Sequence, residues 1–230
     1  MEKLKQVRNL INNINWQAFL CLGTENCIHC GSLLVKPSLL CEYCEKILFL
    51  QCSLQNLWEN EIKAKKFLSL FSWEQDQNLI LNKLIMNLKG SKQECAYKYY
   101  GKLIAARLRT ILTIEDRLLI CPCPSWSHQK DHAYYLAKAL SDELGVSLGF
   151  PLLNGIKKTE SKELSKSERL RNVGERFIIN EKFFEKFTRA NETQILFVDD
   201  VITTGATLLA ASEKLKDFKQ IIGISLAFRR

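Results

Sequence analysis

Apolar strand-like segments alternate with amphipathic helical segments along most of the chain after residue 66. The strand-like segments are short, and the helical ones carry apolar residues at intervals of three and four. This alternation predicts an α/β fold with a mainly parallel sheet that helices cover on both faces. In such sheets, ligands bind at the carboxyl ends of the strands. The strand-like segments are FLSLFSW, RLLICPC, SLGFPLL, ILFVDD and QIIGISLAF, and the helical ones are DQNLILNKLIMNLKG, KQECAYKYYGKLIAARLRTIL, HQKDHAYYLAKALSDELG and ATLLAASEKLKDF.

The composition of the 230 residues is that of an ordinary soluble protein, with 47% hydrophobic and 25% charged residues. No apolar run approaches the roughly 20 residues that span a bilayer. Asparagines interrupt the N-terminus where a signal peptide would be apolar, so we predict a cytoplasmic protein without a transmembrane segment. The formal charge of +8 would suit an anionic partner such as nucleic acid, and it equally suits a role of surface lysines in solubility.

Four cysteines near the N-terminus form two C-x-x-C pairs that are separated by ten residues. Each pair can supply two thiolates to one tetrahedral ion, which predicts a structural zinc site. The predicted ligands are Cys27, Cys30, Cys41 and Cys44. A redox-active pair is the alternative, but it would need only one such motif beside a β-α unit. His29 could be a further ligand, although four thiolates already complete a zinc site.

The cysteine spacing stops near residues 51–55, and this change divides the chain into two predicted domains. Residues 1–54 would form an N-terminal helix and a four-cysteine zinc finger, and residues 55–230 would form the α/β domain. The other five cysteines show no ligand spacing. Among them, Cys121 and Cys123 alternate within an apolar strand, so we predict that both are small buried residues.

The segment ILFVDDVITTGAT joins the most apolar strand to a helix through two aspartates and a threonine-rich loop. Backbone N–H groups converge at the helix N-terminus, threonine hydroxyls add donors, and a glycine lets a phosphate approach the backbone. The predicted phosphate-binding residues are Thr203, Thr204, Gly205, Ala206 and Thr207. Asp199 and Asp200 would repel that phosphate, so they must face sugar hydroxyls or a magnesium ion. A ribose 5-phosphate carries a phosphate and a vicinal diol at such a separation.

The same segment resembles the fingerprint of type I phosphoribosyltransferases, in which apolar residues precede two acids and a Thr/Gly-rich phosphate loop. The resemblance implies a sheet of that family's kind and binding of phosphoribosyl pyrophosphate with magnesium. By this resemblance, Asp199 and Asp200 hold the ribose hydroxyls and Thr203–Thr207 holds the 5-phosphate. Asp200 would also be the catalytic candidate, because it would steady an oxocarbenium-like transition state. The pyrophosphate loop would follow an earlier strand, where CPCPSWSHQKD offers backbone amides around Ser125.

The order of parts along the whole chain resembles the ComF family of competence-associated proteins, of the ComFC type. That type carries an N-terminal zinc finger ahead of a phosphoribosyltransferase domain. The resemblance implies a role in natural transformation, with single-stranded DNA and other competence-machinery proteins as partners. It rests on the four-cysteine module, KLIMNLKG, CPCPSW, the fingerprint segment and an L-S-x-x-E-R-x-x-N-V stretch. That stretch is matched by Leu164, Ser165, Glu168, Arg169, Asn172 and Val173.

Two basic residues are further candidates for contact with the phosphates of the ligand. Arg169 would donate two hydrogen bonds from its guanidinium to the pyrophosphate oxygens, or it would be one charge on a solvated helix. Lys89 would lie near the phosphates, or it would be a favourable cation at a helix C-terminus. His128 and His132 are predicted surface residues.

Two segments depart from the pattern of the family. Lys130–Tyr135 stands where the family usually has Arg-Gly-Phe-Asn, and Thr159–Lys162 stands where it has Thr-x-x-Gln. Both would border the pyrophosphate, so ligand binding is better supported than turnover. Three functions stay open: a DNA-handling protein of natural transformation, a transferase that releases pyrophosphate to an unidentified amine or base, and a sensor that binds phosphoribosyl pyrophosphate without consuming it.

Overall fold

The computed structural model describes residues 26–33, 37–52, 61–62, 65–73, 78–90, 93–112, 117–125, 131–155 and 176–229. Its helices are Glu42–Cys52 (α1), Leu79–Gly90 (α2), Glu94–Ile111 (α3), His132–Leu144 (α4), Glu181–Phe184 (α5) and Ala206–Lys214 (α6). Its strands are Glu61–Ile62 (β1), Lys65–Trp73 (β2), Leu118–Pro122 (β3), Ser147–Leu148 (β4), Leu152–Asn154 (β5), Phe177–Ile179 (β6), Gln194–Ile202 (β7) and Gln220–Arg229 (β8). None of the described helices has the length and hydropathy that crossing a bilayer requires.

Within the described residues, six strands form one sheet in the order β1-β2-β8-β7-β3-β4. β1 is antiparallel to β2, whereas the other neighbouring pairs of this sheet are parallel. The register places Leu196 of β7 between Ile120 of β3 and Ile222 of β8, at the centre of the sheet. The prediction of an α/β fold with a mainly parallel sheet and a small four-cysteine cluster is therefore confirmed.

Side chains alternate across the sheet and enter two separate hydrophobic clusters. Leu196 and Val198 of β7 face one cluster, which also contains side chains of α1, α2, α3 and α4. Ile195 and Phe197 of the same strand face the other cluster, which contains side chains of α6 and β6. Both faces of a parallel sheet are covered in this way, and for that reason the start of β7 is a continuous apolar run and does not alternate.

The described part of the cysteine module packs into the same core as the helices that follow it. Leu40 and Leu48 are fully buried in one hydrophobic cluster with Leu84 of α2 and Tyr100 of α3. The Tyr100 hydroxyl donates a hydrogen bond to the Ser38 carbonyl oxygen at 2.9 Å. Because these side chains share one core, the stability of the cysteine module is tied to that of the sheet.

The prediction of one further strand over SLGFPLL is wrong. The structure divides this segment into β4, which pairs with β3, and β5, which pairs with β6 in a separate two-stranded antiparallel sheet. Pro151 lies between β4 and β5 and has no N–H group to donate to a ladder. The chain leaves the main sheet after Gly149, whose N–H donates to the Ile120 carbonyl oxygen at 2.8 Å.

The other predicted strands and helices are confirmed, with ends that differ by a few residues. α4 ends before Gly145, as predicted. α6 ends at Lys214, earlier than predicted, because the following residues turn back so that the Lys219 N–H reaches the Thr193 carbonyl oxygen at 3.0 Å. Cys121 and Cys123 are buried, as the strand pattern predicted.

Gly101 lies where α3 packs against α4. A Cβ atom at this position would lie 2.6 Å from the Ala139 Cβ. Such a distance is far inside van der Waals contact, so Gly101→Ala should lower the free energy of unfolding by about 1–3 kcal/mol, even though alanine is the better helix former. Urea denaturation measures this change. The exposed neighbouring variant Lys102→Ala is the control and should stay within about 0.5 kcal/mol of wild type. Equal stability of the two variants would contradict the close packing of these helices.

Candidate functional site

The carboxyl ends of β3 and β7 lie side by side at one edge of the sheet. The two strands are parallel, and Pro122 of β3 is in register with Val198 of β7. The Cys123 N–H donates to the Val198 carbonyl oxygen at 2.7 Å, so the segment after β3 stays close to β7. This contact brings Asp199 and Asp200 to the same edge as the segment that follows β3. The carboxyl edge is where sheets of this kind bind ligands.

The threonine-rich loop between β7 and α6 lines a cavity of about 420 Å³ at this edge. Gly205 has a φ of 71°, a left-handed conformation that a residue with a side chain would adopt only with strain. Thr203, Thr204 and Thr207 also line the cavity, and α6 begins at Ala206. Hydroxyl donors and the positive end of a helix dipole therefore meet in one space, which is suited to an anion.

The two aspartates lie on opposite faces of the sheet, because side chains alternate along a strand. Asp199 lies on the same face of the sheet as Phe197, and it lines the cavity of the threonine loop. Asp200 follows the face of Val198, where α2 packs, and its Oδ2 is 3.2 Å from the Lys89 Nζ. The Asp200 side chain is 20% exposed and that of Lys89 is 44% exposed, so the ion pair is partly screened by water. Lys89 is thus a residue of this edge as well as a cation at the end of α2.

Burial raises the pKa of the Asp199 carboxyl to about 8, and the neighbouring charge of Asp200 adds to this effect. The Arg176 guanidinium lowers the pKa of Asp199, against the effects of burial and of Asp200, because it favours the ionised carboxylate. Arg176 also lines the cavity, and its guanidinium carbon is 5.5 Å from the centroid of the Phe177 ring. Sequence reading missed Arg176, because it precedes β6, a strand that the sequence pattern does not indicate.

The raised pKa of Asp199 predicts that stability falls as pH rises. The carboxyl ionises near pH 4 in an unfolded chain, whereas in the folded protein its pKa is about 8. Because the folded state binds more protons between these values, the free energy of unfolding should decrease from about pH 4 to about pH 8. Urea unfolding of ligand-free wild type and Asp199→Asn across this range measures the effect, and Asp199→Asn should show the shallower decrease. All other titrating groups are common to both proteins, so identical pH profiles would contradict the assignment.

A second cavity, of about 380 Å³, lies at the same edge against the segment that follows β3. Ser125 and Asp131 line it together with Tyr134 and Phe150, whose ring planes are 16° apart. Asp131 caps the N-terminus of α4, since its carboxylate accepts a hydrogen bond from the Tyr134 N–H at 3.2 Å. Burial raises the pKa of Asp131, and the charge of Asp200 contributes to the same shift. This cavity is therefore linked electrostatically to Asp200 of β7.

Several predicted site residues lie outside the described part of the chain. Arg169, Thr159–Lys162 and Lys130 are among them. Of the departure at Lys130–Tyr135, residues 131–135 are described and form the cap and first turn of α4. Sequence reading missed Asp131 as a site residue, although an aspartate directly before a helix is a strong capping signal and could have marked its position at the carboxyl edge.

The four cysteines that were predicted as metal ligands come together in space. Their sulfur atoms all lie within 4.8 Å of one another, and the sulfurs of Cys30 and Cys41 are 3.7 Å apart. Tetrahedral zinc with Zn–S bonds of about 2.3 Å requires sulfurs about 3.8 Å apart, so the cluster has the size that such an ion needs. The His29 Nδ1 is 3.4 Å from the Cys44 sulfur, a contact that can orient a ligand. The clustered residues are Cys27, Cys30, Cys41 and Cys44.

The thiols of this cluster differ in their tendency to ionise. The backbone N–H of Cys44 is the largest cause that lowers the pKa of Cys41, to about 6, whereas burial raises the pKa of Cys44. Metal ligation requires thiolates at all four positions. The buried Cys44 would become a thiolate only beside a cation, so the donor set is one that a metal ion would complete.

Comparisons with known proteins find distant similarity to solved structures and no similarity in sequence. No family model matches the sequence, and no curated protein matches it. One similar solved structure is adenine phosphoribosyltransferase from Leishmania tarentolae, with 15% identity, a TM-score of 0.36, and 63% of this chain and 74% of that chain covered. Another is adenine phosphoribosyltransferase from Leishmania donovani, with 11% identity, a TM-score of 0.39, and 85% and 83% covered. Both TM-scores are below 0.5.

Proposed function

We propose that the protein binds phosphoribosyl pyrophosphate, with magnesium, at the carboxyl edge of its sheet. The observation that carries this proposal is the cavity of about 420 Å³ in which the threonine loop and Asp199 face one space. The 5-phosphate would bind the loop, where hydroxyls and helix N–H groups donate hydrogen bonds. The ribose hydroxyls would donate hydrogen bonds to the Asp199 carboxylate. A cavity of this size suits one small ligand of this kind.

The balance of charge at this edge supports a divalent cation as part of the ligand. Among the described residues, Asp200 interacts electrostatically with both Asp131 and Asp199, and Lys89 and Arg176 supply two positive charges beside them. When Asp199 is ionised, three carboxylates stand against two cations and would repel a pyrophosphate. Magnesium prefers carboxylate and phosphate oxygens, and when bound it would neutralise the pyrophosphate beside these acids.

The remaining proposed contacts lie on the pyrophosphate side. Ser125 belongs to the segment after β3 that adjoins the two aspartates, and its N–H group would donate to the pyrophosphate. Lys89 would exchange part of its interaction with Asp200 for a phosphate oxygen, because both groups lie at the same edge. Arg169 is a further proposed pyrophosphate contact, on the basis of the family resemblance.

Calorimetry on the full chain tests the binding proposal. Phosphoribosyl pyrophosphate with magnesium should bind with one site per chain. Ribose 5-phosphate, which lacks the pyrophosphate, should compete for the same site with lower affinity. Omission of magnesium should weaken the binding of phosphoribosyl pyrophosphate more than that of ribose 5-phosphate. Absence of saturable binding by either compound would exclude the proposal.

We propose zinc as the ion of the four-cysteine cluster. The sulfurs of Cys30 and Cys41 have the separation of tetrahedral Zn–S geometry, and four thiolates without an open position are typical of structural zinc sites. The ion would stabilise the fold and would take no part in chemistry at the carboxyl edge.

The biological role that we propose is the handling of single-stranded DNA in natural transformation. It rests on the resemblance of the order of parts to ComFC-type proteins and on the formal charge of +8, which suits a polyanion. Affinity for single-stranded DNA should fall steeply as salt rises from about 50 to about 200 mM, because bound counterions are released. Absence of binding at low salt would exclude this role, and the proposal of phosphoribosyl pyrophosphate binding would be unaffected.

A second candidate function is a transferase that releases pyrophosphate to an amine or base. The second cavity favours it, because Ser125 and Asp131 line a space of about 380 Å³ that could admit an acceptor beside the ribose. Pyrophosphate release with a panel of bases and amines, abolished by Asp200→Asn, would support it.

A sensor function would instead make DNA affinity depend on phosphoribosyl pyrophosphate, and equal DNA affinity with and without that ligand would exclude the sensor.

A further inference from the structure

A third cavity, of about 320 Å³, lies at the opposite edge of the sheet from the candidate site. Its walls come from the amino end of β2, the start of β8, and the residues at and just after the end of α6. Lys66, Lys216 and Lys219 line it together with Ser212 and Gln220. β7 has nine residues, which at about 3.3 Å each separate the two edges by roughly 26 Å. The two sites share no residue.

Ser212 carries an unsatisfied polar group in the wall of this cavity. The residue is 4% exposed, and its Oγ has no hydrogen-bond partner among the described residues. A buried hydroxyl without a partner costs about 1–3 kcal/mol, so native proteins rarely retain one that nothing uses. Serine in a helix commonly bonds back to the preceding turn, but here the hydroxyl is not used in that way. Rotation of the Ser212 side chain toward the cavity would let a ligand satisfy this hydroxyl.

The charged residues that line this cavity are all lysines. Lys66 comes from β2, whereas Lys216 and Lys219 come from the turn between α6 and β8, so lysines of two separate backbone segments line the space. No acidic residue is among the described residues that line the cavity. The Phe218 N–H donates to the Leu215 carbonyl oxygen at 3.0 Å, which fixes the turn that carries the two later lysines. An anion would be held by charge and by one buried hydroxyl.

The end of α6 gives a competing explanation for the lysines alone. Cations near a helix C-terminus are stabilised by the helix dipole, and Lys214 already occupies the last turn of α6. Lys66 belongs to another element, so the helix end does not explain its presence. The dipole also offers no partner to the Ser212 hydroxyl, which is a donor as well as an acceptor.

We infer that this cavity binds a phosphate group, with Ser212 as hydrogen-bond donor and Lys66, Lys216 and Lys219 as counter-charges. The phosphate would belong either to a small phosphorylated metabolite or to the backbone of a single-stranded nucleic acid. This site is additional to the proposed phosphoribosyl pyrophosphate site, and its existence does not depend on that proposal.

Amide chemical shifts of the ¹⁵N-labelled full chain test this inference. The probes are inorganic phosphate, thymidine 5′-monophosphate and a single-stranded oligothymidylate. At least one probe should shift the signals of residues 212–220 along a saturable curve. Those shifts should persist in the Asp199→Asn, Asp200→Asn protein, which separates them from binding at the other edge. Tighter binding of the oligothymidylate by tenfold or more, with a steep salt dependence, identifies the nucleic acid backbone as the source. Otherwise the source is a small phosphate.

Two variants distinguish a binding site from a structural role. Ser212→Ala removes an unpartnered hydroxyl, so it should weaken phosphate binding at least about tenfold while the free energy of unfolding stays equal or rises. Lys216→Ala with Lys219→Ala should weaken binding by roughly the same factor. Lys98→Ala with Lys102→Ala, at exposed positions of α3, makes the same charge change and should leave binding within about twofold. Absence of saturable shifts with all three probes, or shifts that neither cavity variant alters, would overturn the inference.

Discussion

Replacement of both Asp199 and Asp200 by asparagine is expected to weaken binding of magnesium and phosphoribosyl pyrophosphate at least about 100-fold. Hydrogen bonds to charged groups contribute about 1.5–3 kcal/mol each, and the variant removes the charge of Asp199, which would accept from the ribose hydroxyls, and that of Asp200 beside the magnesium. Whether the variant binds the ligand more weakly or more tightly distinguishes two roles of the acids. If the acids were only neighbours of a phosphate site, loss of two negative charges would reduce repulsion and strengthen the binding of an anion. Calorimetry with magnesium and phosphoribosyl pyrophosphate measures the change.

The stability of the same variant separates a binding effect from a folding effect. Asp199 is a half-buried acid whose pKa is raised to about 8, so its replacement should leave the Tm equal or higher at pH 8. The matched control is Asp142→Asn with Glu185→Gln, which makes the same change of charge at two exposed positions. That control should keep wild-type affinity. Tighter ligand binding by the double aspartate variant would contradict the proposed roles of these acids.

Removal of metal from the four-cysteine cluster should have the largest effect on stability. The module shares one hydrophobic cluster with α2 and α3, so its unfolding would expose part of the core of the whole chain. Structural zinc sites contribute their binding free energy to folding, and we expect a loss of at least about 3 kcal/mol. For a chain of this size, that loss corresponds to roughly 10 °C in Tm. Calorimetric melting with and without a chelator measures it.

Cysteine variants tell metal loss apart from loss of packing. Cys27→Ser with Cys44→Ser should abolish the bound zinc, which metal analysis should find at one ion per wild-type chain. Cys52→Ala, which alters a buried cysteine of α1 outside the cluster, should keep the ion and lose only packing energy. A wild-type protein without zinc, or a Tm that chelation leaves unchanged, would contradict the structural role of the site.

The sequence was sufficient to predict the elements that build the carboxyl edge. Continuous apolar runs and helical periodicity predicted β3, β7 and α6, because both depend on local burial patterns. The strand period could also have indicated the opposite orientation of Asp199 and Asp200, although the family resemblance assigned both acids to the ribose hydroxyls. The strand periodicity could not predict which residue contacts each of the two aspartates. Lys89 reaches Asp200 only because α2 packs on one face of β7, a contact between residues more than 100 positions apart.

The parts of the site that sequence reading missed depend on tertiary contacts without a local signal. Arg176 lines the cavity because it directly precedes β6, which pairs with β5 in a small separate sheet. The sequence pattern did not indicate this sheet, because β4, Pro151 and β5 together resemble one continuous strand. Asp131 joins the acids because the cap of α4 lies at the same edge as the end of β7. The cysteine spacing predicted the cluster, but it could not indicate that Leu40 and Leu48 enter the main core.

The most direct measurement of the central claim is an experimental structure of the full chain with phosphoribosyl pyrophosphate and magnesium. The proposal predicts the 5-phosphate at Thr203–Thr207, the ribose hydroxyls within hydrogen-bonding distance of Asp199, and the pyrophosphate on the side of Lys89 and Ser125. A ligand with its 5-phosphate bound elsewhere, or a ribose that contacts neither Asp199 nor Asp200, would contradict it.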